Sequence, residues 1–111
     1  MDQLVALEFQ AMPPLQFCTK MLENRGVKII RVTGNSLDVN FDLFPLQSEE
    51  KVKLNLKKQE DLKLLKKKYL PKVDIVLESF RPGVMERLGL SPAEVHAINP
   101  SIIYTRLSAY G

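Results

Sequence analysis

The chain has 111 residues, 45% hydrophobic and 26% charged, with a formal net charge of +3. That describes one domain or part of one, with apolar material for a modest core and no run long enough to span a membrane. One cysteine excludes an internal disulfide, a reducing compartment fits, and the N-terminus lacks the basic and apolar regions of a secretory signal.

Residues 4–9 read as a short buried strand, broken by Met12-Pro13-Pro14. The proline pair suits a helix start, where a missing N–H costs little. Leu15, Cys18, Met21 and Leu22 then recur at helical spacing, which puts Cys18 on the buried face as a small hydrophobe. Gly26 is a C-cap for that helix. Residues 27–32 form a second strand, rich in β-branched side chains. Residues 33–36 are a turn and 37–50 a long loop.

Val52, Leu54 and Leu56 alternate with polar residues, which predicts a half-buried strand over 52–56. Residues 58–70 form a helix with Leu62, Leu65 and Tyr69 as its buried stripe. A strand over 73–77 and a short helix over 82–88 follow. Ser91-Pro92-Ala93-Glu94 is a capping box that opens another helix, which ends before Asn99-Pro100. Residues 102–107 are the last strand. The alternation predicts an α/β fold, a Rossmann-like doubly wound and mostly parallel sheet. No helix follows the last strand, so the pattern is incomplete.

Residues 51–72 carry nine lysines against Glu60 and Asp61, a local balance of +7 that leaves −4 for the rest of the chain. Such a segment serves as a solvated helix face or faces a phosphorylated cofactor. It lacks the interleaved aromatics and arginines of a nucleic-acid site, so no nucleic-acid partner is expected. His96 is the single histidine. It has no oriented partner in the sequence, so no catalytic role is assigned to it. One His, one Cys and scattered carboxylates give no metal-ligand spacing.

The junction Glu78-Ser79-Phe80-Arg81-Pro82-Gly83 links a strand's carboxyl end to a helix start. In open α/β sheets ligands bind at that edge, and a helix N-terminus with an arginine suits phosphate. A capped helix with a solvated arginine is the bland alternative.

The run Phe80-Arg81-Pro82-Gly83-Val84-Met85-Glu86-Arg87-Leu88-Gly89-Leu90 resembles the class III coenzyme A transferases, the group that includes α-methylacyl-CoA racemases. So do Asn99-Pro100-Ser101-Ile102-Ile103-Tyr104 and Arg106-Leu107-Ser108-Ala109-Tyr110-Gly111. The resemblance implies that residues 1–111 are the N-terminal, CoA-binding-like part of a larger domain. It implies cofactor contacts at Leu54, Asn55, Leu56 and Lys57, and at Phe80, Arg81 and Gly83. The ligand would be the coenzyme A moiety of an acyl-CoA, with no prosthetic group. The family's catalytic histidine and aspartate lie further along the chain, so no catalytic residue is expected here.

Family members form interlocked dimers, so pairing with a second copy or a full-length relative is implied, and no membrane partner. Mitochondrial, peroxisomal or cytoplasmic placement is the family's range. Two segments depart from the pattern. Thr33-Gly34 stands where a charged residue is usual, and Gln47-Ser48-Glu49-Glu50 stands where a glycine-rich basic turn is usual. Its two carboxylates would repel a nearby polyphosphate.

Overall fold

The computed structural model describes residues 3–9, 13–33, 50–80 and 82–107, with residues 13 and 14 defined by their main chain alone. In chain order the elements are β1 (Val5–Phe9), α1 (Pro13–Asn24), β2 (Lys28–Thr33), β3 (Glu50–Lys53), α2 (Gln59–Leu64), β4 (Ile75–Glu78), α3 (Val84–Arg87), α4 (Pro92–Ile98) and β5 (Ile103–Arg106). The strands form one sheet in the order β3-β2-β1-β4-β5, and every pair is parallel. This is the doubly wound arrangement expected: the first strand is central, and the chain builds outward from it in both directions.

Alternation along the strands sorts the core into two layers. Leu7, Phe9, Ile30, Val32 and Val76 face one side, where Leu65, Leu70, Met85, Leu90 and Val95 cover them. Ala6, Ile29 and Leu77 face the other, against Leu15 of α1. Burying each of the larger of these side chains contributes about 1.5–3 kcal/mol. Gly26 ends α1 at φ +92°, where a β-carbon is disfavoured. There the Val27 N–H donates to the Leu22 carbonyl at 3.1 Å. Ser91 caps α4 by accepting from the Glu94 N–H at 3.2 Å and donating its hydroxyl to the Glu94 carboxylate at 3.0 Å.

Three expectations are corrected. The third strand is Glu50–Lys53 rather than 52–56. Leu54 still donates its N–H to Thr33 at 2.8 Å, but the chain then turns, and Leu54 and Leu56 reach the core from that turn. The long helix keeps its α register only to Leu64, and Leu65–Tyr69 continue as a π-helical stretch. The Leu70 N–H there reaches back five residues to Leu65 at 3.0 Å. The wider register seats Leu65 fully in the core and leaves Tyr69 packed at its margin. Residues 37–49 of the expected loop lie outside the described residues.

The third correction concerns α1. Cys18 is exposed, not buried, while Gln16 and Thr19 are buried beneath the helix. The cause is the strand surface below. Glu8 and Arg31, in register on β1 and β2, are both buried and joined by an ion pair through Arg31 Nε, with Nη2 donating to Glu8 Oε2 at 3.3 Å. A charged pair in low dielectric favours polar neighbours, so α1 turns polar residues inward. Phe17 and Met21 are left half exposed.

The two sheet edges differ. β3 presents the exposed charges of Glu50, Lys51 and Lys53, with Glu50 3.5 Å from Lys28. β5 presents Ile103, 63% exposed.

Candidate functional site

All five strands run parallel, so their carboxyl ends lie along one edge. After β1 the chain crosses to the α1 face, and after β4 it crosses to the face of α3 and α4. That divergence makes the gap between β1 and β4 the topological switch point of the sheet, and at the carboxyl edge of such a point open α/β sheets form the crevice that binds ligands. Phe9 and Phe80, both buried, meet at the ends of these two strands, with ring centroids 6.5 Å apart and planes tilted by 43°.

The expected contact residues divide into two groups. Leu54–Lys57 follow β3, and Phe80–Gly83 follow β4. Three strand spacings separate them, about 14 Å at ~4.8 Å per strand. A ligand that touches both must be extended and lie across the ends of β2 and β1. Within the first group Leu54 and Leu56 are buried in the core, so only their main chain faces outward chemistry. Asn55 organises the turn itself. Its N–H donates to Asp61 Oδ2 at 2.7 Å, and its Oδ1 accepts from the Lys57 N–H at 3.0 Å. Lys57 is exposed at the end of that turn.

In the second group Phe80 is a core side chain, 7% exposed. Gly83 has φ +88° with no heavy atom within 4 Å of the β-carbon position, so the backbone is open to close approach there. Arg81 lies outside the described residues. The following helix α3 is Val84–Arg87, shorter than the 82–88 expected. A single turn aligns few peptide dipoles, so its field on an anion is small.

The edge also holds a cluster that the sequence reading missed. Glu78 closes β4 and is buried; its Oε2 accepts from the Phe80 N–H at 2.8 Å. Arg106 closes β5 in register with it and donates Nε to Glu78 Oε1 at 3.1 Å. Arg106 Nη2 donates to Glu86 of α3, and the guanidinium lies 5.3 Å over the Tyr104 ring. The Tyr104 hydroxyl donates to the Leu90 carbonyl at 2.7 Å. Burial raises the Glu78 carboxyl above its ordinary range, against the pull of the Phe80 N–H and of Arg106. The hydrogen bond from Arg106 lowers Glu86. The sequence signal was a carboxylate and an arginine each ending an apolar strand, which has meaning only once β4 and β5 are known to be neighbours.

His96 sits on α4, where a ring nitrogen lies 2.8 Å from the Ile102 carbonyl and ties the helix to the approach of β5. Glu50 is at the amino end of β3, about 10 Å of strand from the carboxyl edge at ~3.3 Å per residue. Its carboxylate is therefore not where it would repel a polyphosphate at that edge. Glu49 and Gly34 lie outside the described residues. Among the described residues no group of three His, Cys, Asp or Glu side chains is disposed to hold a metal, and no helix is long and apolar enough to cross a membrane.

A family model described as CoA-transferase family III matches residues 1–111. The chain is 33% identical to mouse α-methylacyl-CoA racemase over 105 residues, covering 95% of the chain and 27% of the racemase. It is 31% identical to succinyl-CoA–D-citramalate CoA-transferase of Chloroflexus aurantiacus, covering all of the chain and 31% of that enzyme. Among solved structures, Rv3272 of Mycobacterium tuberculosis superposes on the whole chain with a TM-score of 0.85 at 28% identity, using 34% of its own length. The chain thus spans about a quarter to a third of these relatives.

Proposed function

Because the chain belongs to CoA-transferase family III, we propose that it is the coenzyme A-binding section of a CoA-thioester enzyme and that it lacks the catalytic region. The observation that carries this reading is the topological switch point between β1 and β4, in a chain that the family model matches from residue 1 to residue 111. The nucleotide end of an acyl-CoA lies across the carboxyl edge. Lys57 and Arg81 meet phosphates, and the main chain at Gly83 allows close approach. The groups of Leu54, Asn55, Leu56 and Phe80 shape the two walls rather than donate to the ligand.

Exchange of configuration at an α-carbon needs two acid–base groups on opposite faces of it. Glu78 is engaged at both oxygens and His96 is held against a carbonyl, so neither is offered as one of the pair. Titration calorimetry of the purified chain with coenzyme A tests the reading. Binding that Arg81→Ala weakens supports it, and no heat at millimolar ligand refutes it. Turnover of a 2-methylacyl-CoA by these 111 residues would refute the absence of catalysis.

A second reading, a module that pairs with a family-length partner, is favoured by one observation. Leu4, Phe17, Met21 and Ile103 are 44–63% exposed and would offer apolar contacts to such a partner.

A further inference from the structure

We infer that Arg106 is a positioning residue for the crevice, holding the segment after β4 at a fixed height on the sheet edge. The inference rests on the coenzyme A reading for its functional consequence, and on geometry alone for the clamp.

Arg106 spans the segment from both ends. Its Nε is bonded to Glu78, where the segment leaves β4, and its Nη2 to Glu86, within α3. Glu78 passes the restraint on, because its second oxygen holds the Phe80 N–H at 2.8 Å. Tyr104, stacked against the same guanidinium, fixes the far side through the Leu90 carbonyl. Residues 78, 80, 86 and 90 are therefore all referenced to β5. α3 is one turn long and cannot hold this geometry by its own helicity, since short helices are marginal without tertiary support.

The electrostatics argue against direct ligand contact. Two carboxylates flank one guanidinium, so the cluster carries a net negative charge and would not recruit a polyphosphate by itself. Arginine also suits the task in a way lysine does not. Its planar fork donates along two fixed directions, whereas an ammonium is a single point charge.

The test combines amide hydrogen exchange with coenzyme A titration on the 111-residue chain. Arg106→Gln should speed exchange of the amides at 80–88 about tenfold, the scale of a lost local tether, while amides of β1 and β2 keep their protection. Coenzyme A affinity should fall about tenfold, as for a lost charge-assisted bond, with Arg106→Lys between the two. Glu86→Gln, on a partly exposed side chain, gives a milder variant with the same local signature. Combined with Arg106→Gln it should weaken binding no further than Arg106→Gln alone, because both act through one link.

Unchanged exchange at 80–88, or loss of protection spread evenly over the sheet, overturns the clamp. Additive effects on affinity also overturn it, since they would make Arg106 a ligand contact. If the unaltered chain binds no coenzyme A, the functional reading falls and the exchange measurement still decides the clamp.

Discussion

Replacing Arg31 by methionine removes the partner of Glu8 and keeps most of the volume. Glu8 is 0% exposed and Arg31 6% exposed, so water does not take over the lost bonds. Breaking a buried pair in this way costs about 3–5 kcal/mol, against a total stability of roughly 5–15 kcal/mol for a domain of this kind. At roughly 4 °C per kcal/mol, the melting temperature should fall by about 12–20 °C. A urea midpoint should fall by about 2 M for a slope near 2 kcal/mol/M.

The double variant Glu8→Leu with Arg31→Met should return to within about 1 kcal/mol of the starting chain, because two well-packed apolar groups replace the pair without an orphaned charge. Circular dichroism during urea titration measures both variants. A deficit under about 1 kcal/mol for Arg31→Met would refute the reasoning, since Glu8 would then have relaxed to solvent at little cost.

Other outcomes follow from single observations. Gly83→Ala meets no neighbour but keeps φ at +88°, so thermal melts should show a loss of about 1–2 kcal/mol from backbone strain alone. A loss above ~3 kcal/mol would mean a hidden clash. Ser91→Ala removes the α4 cap and should cost about 1 kcal/mol by the same assay. Ile103→Lys, at an exposed edge position, should leave stability within about 0.5 kcal/mol and reduce light scattering on concentration. The hydrogen bond from Arg106 lowers the Glu86 carboxyl below its ordinary value, so its contribution is present at neutral pH and lost as pH falls through the folded-state value. Glu86→Gln should therefore melt below the unaltered chain at pH 7 and converge with it in acid. A gap independent of pH would show that the charge of Glu86 does not matter.

Much of the fold was legible because the inner strands and the helix ends announce themselves locally. Ile29, Ile30 and Val32 are β-branched, and Gly26 and Ser91 mark helix ends by backbone chemistry. The misreadings arise where burial and secondary structure part company. Leu54 and Leu56 alternate like a strand because both face the core, yet a turn held by Asn55 and Asp61 delivers them there. Cys18 follows the helical period of its apolar neighbours, but Glu8 and Arg31 beneath α1 decide which face goes down. Those two residues share one phase on neighbouring strands, a relation visible only once the strands are paired. The same holds for Glu78 and Arg106, which lie 28 positions apart in sequence and face each other only because β5 follows β4 at the edge of the sheet.

The central position of β1 has a consequence for how the chain reaches this state. One neighbour of β1 follows almost at once, but the other is β4, and the Val5 N–H finds its acceptor in Asp74, 69 residues later. A ribosome adding about 5–20 residues per second needs several seconds to deliver that partner. Until then Leu7 and Phe9 have no cover from Val76 or Met85. Folding dominated by such distant pairings is slow compared with that of locally connected helical domains. The nascent first third of the chain is thus a lone β-α-β unit with one face of its two strands uncovered, and the interval before β4 emerges is when that apolar face is open to other contacts.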